Sequence, residues 1–195
     1  MKTLAEYEQL AALAHGHLCA GQILGIRLAL HGLRLLDIDD PTGADRKRLV
    51  TYVEIDRCAT DAIGVVTGCR LGKRALKFLD FGKMAATFCD LRDQRAVRVA
   101  ARESSKQRAR DLYPEIEDKN RQQMHAYREM ADDELFDVQW VRVAIGPEEL
   151  PGYKGPRVHC AECGEGIAFA REVTVDGRNL CKACAGARYY EPVSA

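Results

Sequence analysis

The chain has 195 residues, of which 47% are hydrophobic, and its 29 basic residues balance its 29 acidic ones. This length suits one compact domain with a small appended one. The zero net charge argues against a general attraction to nucleic acid or to an anionic membrane surface. The start of the chain has no signal-peptide pattern, and polar residues interrupt the longest apolar region, 19–36. We therefore expect a cytoplasmic protein without a membrane partner.

Hydrophobic periodicity predicts helices and strands mixed along the first three quarters of the chain. Helices are predicted over 4–14, 19–36 and 59–66, and a polar helix that Ser104 caps and Pro114 interrupts resumes over 115–130. Strands are predicted over 49–55, 75–79, 83–89, 96–101 and 136–145. In the strands, Phe136 and Trp140 are expected in the core, and Cys89 as a buried thiol. The absence of regular βαβ alternation predicts an α+β fold, a mixed helix and sheet core followed by a small treble-clef-like zinc finger.

A segment rich in proline and glycine, 146–156, predicts a linker, because neither a helix nor a central strand tolerates that composition. It separates a predicted core, 1–145, from a predicted finger, 157–195. Eight cysteines are spread over these two regions. In a reducing compartment, such thiols serve as metal ligands or reactive groups more often than as disulfides.

The finger carries two CxxC pairs, Cys160 with Cys163 and Cys181 with Cys184. Each pair presents two thiolates from a tight turn, and a hairpin with Asp176-Gly177 at its turn brings the pairs together. This spacing predicts a structural zinc ion with four cysteine ligands and no open position. A tail this short needs such an ion to fold.

A second set of donors lies near the start, in the stretch HGHLCAG, which contains His15, His17 and Cys19. Cys19 stands where a helix begins, and the free N–H groups of a helix start stabilise a thiolate. Two interpretations remain open for this stretch alone: a metal or nucleophile site, or a helix cap with a buried cysteine behind it.

A cluster further along favours the first interpretation. Cys58 follows a predicted strand, and Asp61 lies three positions later, on the same face of a helix. Cys69 and Lys73 follow in a glycine-containing loop, where the lysine could bind an anion or lower a thiol pKa. This loop is too short for a Walker phosphate loop, and Arg74 stands where Ser or Thr is required.

These motifs together resemble the FmdE-like family, which is named for the FmdE component of formylmethanofuran dehydrogenase. The resemblance rests on HGHLCAGQILGIR, on the stretch from Cys58 to Lys73, and on Asp80-Phe-Gly82-Lys83. It implies an α+β core that is commonly dimeric, a His/Cys-lined cleft for a metal or substrate, and in some members a treble-clef finger. Three positions depart from the family: Ala20 replaces a frequent proline, and Arg70 and Arg74 stand where Thr and Gly are usual.

Two functions follow as hypotheses. In the first, His17, Cys19 and Cys58 hold a core metal with an open position, and Cys19, Cys58, Asp61, His15 and Lys73 act on a small-molecule or anionic ligand. In the second, the protein is an accessory module that docks through its finger on a molybdenum or tungsten oxidoreductase. We expect a homodimer in either case. Acidic residues in the finger dilute its basic ones, so a nucleic-acid partner is not expected.

Overall fold

The computed structural model describes residues 1–193, and Ser194 and Ala195 at the end of the predicted finger lie outside this range. The chain divides into a core unit, Met1–Ala144, and a C-terminal unit that begins at Ile145. Both combine helices and strands, which confirms the α+β prediction. In residues 1–193, no helix has the length and apolar character required to cross a membrane.

The core unit contains six helices and a five-stranded sheet among the described residues. The helices are α1 (Leu4–His15), α2 (Ala20–Leu35), α3 (Cys58–Thr67), α4 (Ser104–Leu112), α5 (Lys119–Glu129) and α6 (Asp132–Leu135). The strands are β1 (Leu49–Val53), β2 (Leu76–Phe78), β3 (Ala85–Asp90), β4 (Arg95–Ala101) and β5 (Phe136–Val141).

The sheet has the order β2-β1-β3-β4-β5. The β1–β2 pair is parallel, with Thr51 opposite Leu76, and the other pairs are antiparallel. A parallel pair needs a crossover connection, and the segment from β1 to β2 contains α3. This crossover places the start of α3 directly after β1.

Helix α2 is the central helix of the core unit, as its wide apolar face predicts. Its side chains Ile23, Ile26 and Leu33 are fully buried, and it packs on the sheet through β3 and β4. It also packs closely against α3. A Cβ atom at Gly25 would lie 2.6 Å from the backbone oxygen of Ala59, so a glycine is required for this approach.

Three details of the core differ from the sequence prediction. Trp140 is 57% exposed, whereas Phe136 is buried as expected. Both residues lie on the edge strand β5, but Phe136 stacks on His31 of α2, whereas Trp140 lies further along the strand and stays exposed. Ser104 is the first residue of α4 and Glu103 is its N-cap, so the predicted Ser104 cap is wrong. The short helix α6 was not predicted.

Among the described residues, the C-terminal unit contains two short hairpins and two helical turns, Pro147–Glu149 and Ala183–Ala187. β6 (Val158–His159) pairs with β7 (Gly166–Ile167), and β8 (Val173–Val175) pairs with β9 (Arg178–Leu180). The predicted Asp176-Gly177 turn joins β8 to β9, with both residues in the left-handed region that such turns need.

Candidate functional site

The four finger cysteines converge on one point. Their sulfur atoms all lie within 4.8 Å of one another, and the Sγ atoms of Cys163 and Cys181 are 3.9 Å apart. A tetrahedral zinc ion with Zn–S bonds of about 2.3 Å requires sulfur atoms about 3.8 Å apart. The residues present therefore fit a structural zinc ion.

Backbone donors reach two of the four sulfur atoms, and they favour the thiolate form of Cys160. The N–H of Cys181 donates to Sγ of Cys160 at 3.3 Å, and the N–H of Cys184 donates to Sγ of Cys181 at 3.4 Å. Backbone hydrogen bonds from Cys163 and Cys181 lower the pKa of Cys160 to about 6. The apolar support is small: Cys160 packs with Ile167 and Leu180. A core of this size needs the ion to hold it together.

In the core unit, the HGHLCAG stretch forms the turn between α1 and α2. Gly16 ends α1 with a φ of 96°, a conformation that glycine adopts without strain. This turn leaves the His15 ring at the end of α1 and places the His17 ring 4.9 Å from it, between centroids. Nδ1 of His15 lies 2.8 Å from Oδ2 of Asp61, in the first turn of α3.

Cys19 and Cys58 both lie at helix starts. Cys19 is the N-cap of α2, and Cys58 is the first residue of α3. Their side chains are neighbours, since a Cβ atom placed on Gly21 would lie 3.5 Å from the Cβ of Cys58 and 3.8 Å from the Sγ of Cys19. Burial raises the pKa of Cys58, and the neighbouring Cys19 side chain raises it further. The close packing of α2 on α3 at Gly25 and Ala59 brings these two starts together.

Gln22 holds Cys19 in place, a role that the sequence reasoning missed. Its side chain is fully buried, accepts a hydrogen bond from the N–H of Cys19 at 3.2 Å and donates to the carbonyl of Ala11 at 3.0 Å. The amide therefore ties the start of α2 to α1. The signal was present in the sequence, because Gln22 is a polar residue within an apolar helical face.

An open cleft of about 390 Å³ lies beside these groups. The residues that line it are His15, Asp56, Arg57, Cys58, Thr60 and Asp61. Three predicted site residues therefore share one cavity, and His17 and Cys19 lie beside members of this set. Asp56, Arg57 and Thr60 are further lining residues that the sequence did not single out.

Cys69 and Lys73 lie away from this cleft. Cys69 is buried, and its thiol accepts a hydrogen bond from the Thr51 hydroxyl at 3.5 Å. Burial raises the pKa of Cys69, although hydrogen bonds from Thr51 and Thr67 and the charge of Lys73 act in the opposite direction. Lys73 is exposed, in a short 3-10 turn, Leu71–Lys73.

The core donors meet in pairs. His15 contacts Asp61, His15 contacts His17, and Cys19 lies beside Cys58. Within residues 1–193, one group of three or more Cys, His, Asp or Glu side chains has all its ligand atoms within 4.8 Å of one another. That group is the four finger cysteines. The structure thus shows a compact group of four cysteine sulfurs that could hold a metal ion in the finger, and a looser group of donors in the core.

Comparison with known families decides the identity of the core. The model of the family described as "FmdE, Molybdenum formylmethanofuran dehydrogenase operon" matches residues 14–137, most of the chain. The chain belongs to the FmdE family. This result confirms the resemblance drawn from the sequence motifs. A second family model, the prokaryotic dksA/traR C4-type zinc finger, matches residues 153–190 and covers all four finger cysteines.

A curated protein and a solved structure place this FmdE chain among relatives. A "Probable S-adenosyl-L-methionine-binding protein" from Archaeoglobus fulgidus is 30% identical over 194 residues. That match covers 90% of this chain and 51% of the relative, so the chain spans about half the length of the curated relative. The solved structure is a tungsten formylmethanofuran dehydrogenase FmdE-like protein from Syntrophus aciditrophicus. It has a TM-score of 0.62 and 21% identity, and the match covers 97% of this chain and 96% of that one.

One departure from the family pattern has a structural counterpart. Arg74, where the family usually has glycine, adopts a φ of 59°. Glycine populates this left-handed region without cost, whereas a residue with a Cβ is strained there. The loop therefore keeps the backbone conformation that suits glycine while it carries an arginine.

Proposed function

We propose that the core unit of this FmdE protein is a metal-dependent ligand-binding cleft, distinct from the finger. Cys19 and Cys58 would hold the ion, with His17 as the third donor and the remaining position open to the cleft. The observation that supports this proposal is that the Cys19 and Cys58 side chains meet at Gly21, at two helix starts, beside the His15–Asp61 pair.

The chemistry of these donors fits a zinc-class ion. Two thiols and an imidazole form a borderline-soft set, and three protein ligands with an open position are typical of catalytic rather than structural zinc. Burial and the Cys19 side chain raise the pKa of Cys58 despite a backbone hydrogen bond that acts to lower it, so a bound cation would stabilise the Cys58 thiolate that the fold alone does not favour. Gln22 fixes the backbone of Cys19, as expected for a group that orients a ligand.

His15 and Asp61 would handle protons in this cleft. A carboxylate at Nδ1 favours the tautomer with its proton on Nδ1, which leaves Nε2 as an acceptor. His15 could then take a proton from a bound ligand at Nε2 while Asp61 stabilises the resulting charge. An ion at Cys19 and Cys58 would supply Lewis acidity to the same ligand. Lys73 stays a predicted anion-binding residue outside the lining of this cleft.

The ligand is proposed at the level of the family. We link the cleft to metabolism around formylmethanofuran dehydrogenase or related molybdenum and tungsten oxidoreductases. The name of the Archaeoglobus relative adds S-adenosyl-L-methionine as a candidate. Asp56 and Asp61 offer carboxylates to its cationic groups, and Arg57 offers a partner to its carboxylate. Calorimetric titration with this compound tests that candidate directly.

Cobalt substitution tests the core site without reference to turnover. Tetrahedral Co²⁺ bound by two thiolates absorbs in the visible range and shows a sulfur-to-cobalt charge-transfer band. Co²⁺ bound by the four finger cysteines absorbs in the same way. We therefore compare the full chain with its Cys19→Ser/Cys58→Ser variant, using Cys89→Ser, a buried strand thiol, as the matched control. The proposal predicts that the double variant loses part of the sulfur-to-cobalt absorption and the control loses none. Equal absorption in all three proteins would contradict it.

A docking role for the finger is a second candidate. At its end, Tyr189 is 96% exposed and Tyr190 is 49% exposed, and the Arg188 guanidinium lies 5.5 Å from the Tyr190 ring centroid. Tyrosine and arginine are enriched where proteins bind partners. If an oxidoreductase docks here, Tyr189→Ala/Tyr190→Ala reduces co-purification of that enzyme and leaves the zinc content unchanged. Unchanged co-purification would contradict docking through this surface.

A further inference from the structure

A second cavity adjoins the cleft of the core unit. It has a volume of about 300 Å³ and lies between the end of α1, one face of α3 and the loop before β2. Most of its lining is apolar or small. The lining residues are Ala14, Thr60, Asp61, Gly64, Val65, Cys69, Arg70, Leu71 and Leu76.

The two cavities share Thr60 and Asp61 in their walls. The Thr60 hydroxyl donates to the carbonyl of Ile55 at 2.5 Å, which occupies its donor within the fold. Asp61 is 58% exposed and reaches His15 from the same position. Asp61, which bonds to His15, therefore lies at the junction between the two cavities. One ligand can extend from the cleft past this junction into the second cavity.

The second cavity has apolar walls and one cationic side chain. Val65 and Leu76 supply apolar surface, and Leu71 is 65% exposed at the rim. Arg70 is exposed, and within residues 1–193 its guanidinium has no ion pair or side-chain hydrogen bond. A largely apolar cavity with a few orienting charged groups, here Arg70 and the shared Asp61 at the junction with the cleft, is the usual form of a small-molecule site.

We propose that this second cavity binds the distal part of the ligand, and that the ligand is an elongated organic anion. Its reactive head group lies in the cleft at His15 and the thiols. Its apolar body lies along Val65, Leu71 and Leu76, and a terminal carboxylate pairs with Arg70. This assignment rests on the proposed function of the cleft for the position of the head group. A guanidinium is suited to a terminal carboxylate because it donates two parallel hydrogen bonds.

The test uses simple probes on the full, zinc-loaded chain. A series of α,ω-dicarboxylates from glutarate to suberate is compared with the monocarboxylates of equal carbon number, by calorimetric titration. The variants are Arg70→Gln and a matched control, Arg46→Gln, which removes an exposed arginine from the loop between α2 and β1. The wild type and the control should prefer the dicarboxylate of optimal length by about fivefold, the effect of one exposed ion pair. Arg70→Gln should abolish this preference.

A second pair of variants tests the cavity itself. A Cβ atom at Gly64 would meet the carbonyl oxygen of Cys69 at 3.4 Å, an ordinary contact, so Gly64→Ala should fold and bind like the wild type. Gly64→Leu should weaken the binding of the longer probes by about tenfold and leave that of short ones unchanged. Circular dichroism on both variants separates loss of the cavity from loss of the fold.

The outcomes separate the two proposals. A dicarboxylate preference that Arg70→Gln leaves unchanged, or equal binding of long probes to both Gly64 variants, would overturn the assignment of the second cavity. Metal analysis of the same samples reports on the cleft independently. Core metal with no Arg70-dependent preference contradicts the second cavity alone, and absence of core metal contradicts the proposed function on which it rests.

Discussion

Nδ1 of His15 lies 2.8 Å from Oδ2 of Asp61, across 46 positions of sequence. This contact joins the last residue of α1 to the first turn of α3 at the edge of the cleft. A structural ion pair at this level of exposure contributes little stability. Its position beside two thiols is better explained by the orientation that it imposes on the imidazole.

The tautomer of His15 tests this explanation. In the wild type, Asp61 should hold the neutral ring with its proton on Nδ1. In Asp61→Ala, the proton should move largely to Nε2, the usual form of a free neutral imidazole. Long-range ¹H–¹⁵N NMR measures the two populations. Because Asp61 is 58% exposed, the free energy of unfolding should change by less than about 1 kcal/mol. An unchanged tautomer ratio would show that Asp61 does not orient His15.

The buried amide of Gln22 gives a second prediction. Gln22→Leu removes the acceptor for the Cys19 N–H and should lower the free energy of unfolding by about 1–3 kcal/mol. It should also lower the affinity of the core site for Co²⁺ because the Cys19 backbone loses its anchor. Gln122→Leu is the matched control, since Gln122 is a buried amide in α5 that bonds the carbonyls of Tyr113 and Ile116. It should destabilise the fold and leave Co²⁺ affinity unchanged. Equal effects of both variants on Co²⁺ would exclude a positioning role for Gln22.

The helix contact beneath the thiols gives a third prediction. Gly25→Ala places a methyl group 2.6 Å from the backbone oxygen of Ala59, and should cost about 1–3 kcal/mol of unfolding free energy. Gly21→Ala, one turn earlier, meets the Cβ of Cys58 at 3.5 Å and should be tolerated or stabilising, because alanine is the better helix former. Urea denaturation of both variants measures the difference. Similar stabilities would mean that α2 and α3 are further apart than described.

Local structure in the core could be predicted because it depends on neighbouring residues. The apolar period of Ile23, Ile26 and Leu33 predicts α2 to within a residue or two of its observed ends. The CxxC pairs predict the finger because zinc fixes the ligand spacing, and the family model confirms a C4 finger there. The Asp176-Gly177 turn follows from the same kind of local chemistry.

Contacts between distant elements could not be predicted in this way. Periodicity specifies which face of an element is apolar, and leaves open which element covers it. Phe136 and Trp140 lie on the same edge strand, yet Phe136 stacks on His31 of α2 and is buried whereas Trp140 is exposed. The pairing of His15 with Asp61 and the inward position of Cys69 depend likewise on the crossover after β1.

Asp132 gives a prediction about pH. It pairs with Arg27 at 2.7 Å and with His31 at 3.0 Å, and joins α2 to α6. Burial acts to raise the pKa of Asp132, but the His31 hydrogen bond and the Arg27 hydrogen bond and charge outweigh it and lower the pKa well below its usual range. The ionised carboxylate therefore stabilises the fold above the unfolded-state pKa of about 3.9, and this contribution disappears as the pH falls towards the folded-state pKa.

Asp132→Asn should accordingly cost about 2 kcal/mol of unfolding free energy at neutral pH and progressively less below about pH 4. Denaturant titrations at several pH values measure this. Asp137→Asn serves as the control, since Asp137 is 63% exposed in its pair with Arg102 and should change stability by less than about 1 kcal/mol. A cost for Asp132→Asn that does not change with pH would contradict the assigned pKa direction.

The central claim is that the core unit holds a metal ion in addition to the finger zinc. Metal analysis of the freshly purified full chain, by mass spectrometry under native conditions, measures this most directly. We predict a second bound ion per chain, lost in Cys19→Ser/Cys58→Ser and retained in Cys89→Ser, with the finger zinc present in all three proteins. A wild-type chain that carries the finger zinc alone, or a double variant that retains all of its metal, would contradict the account.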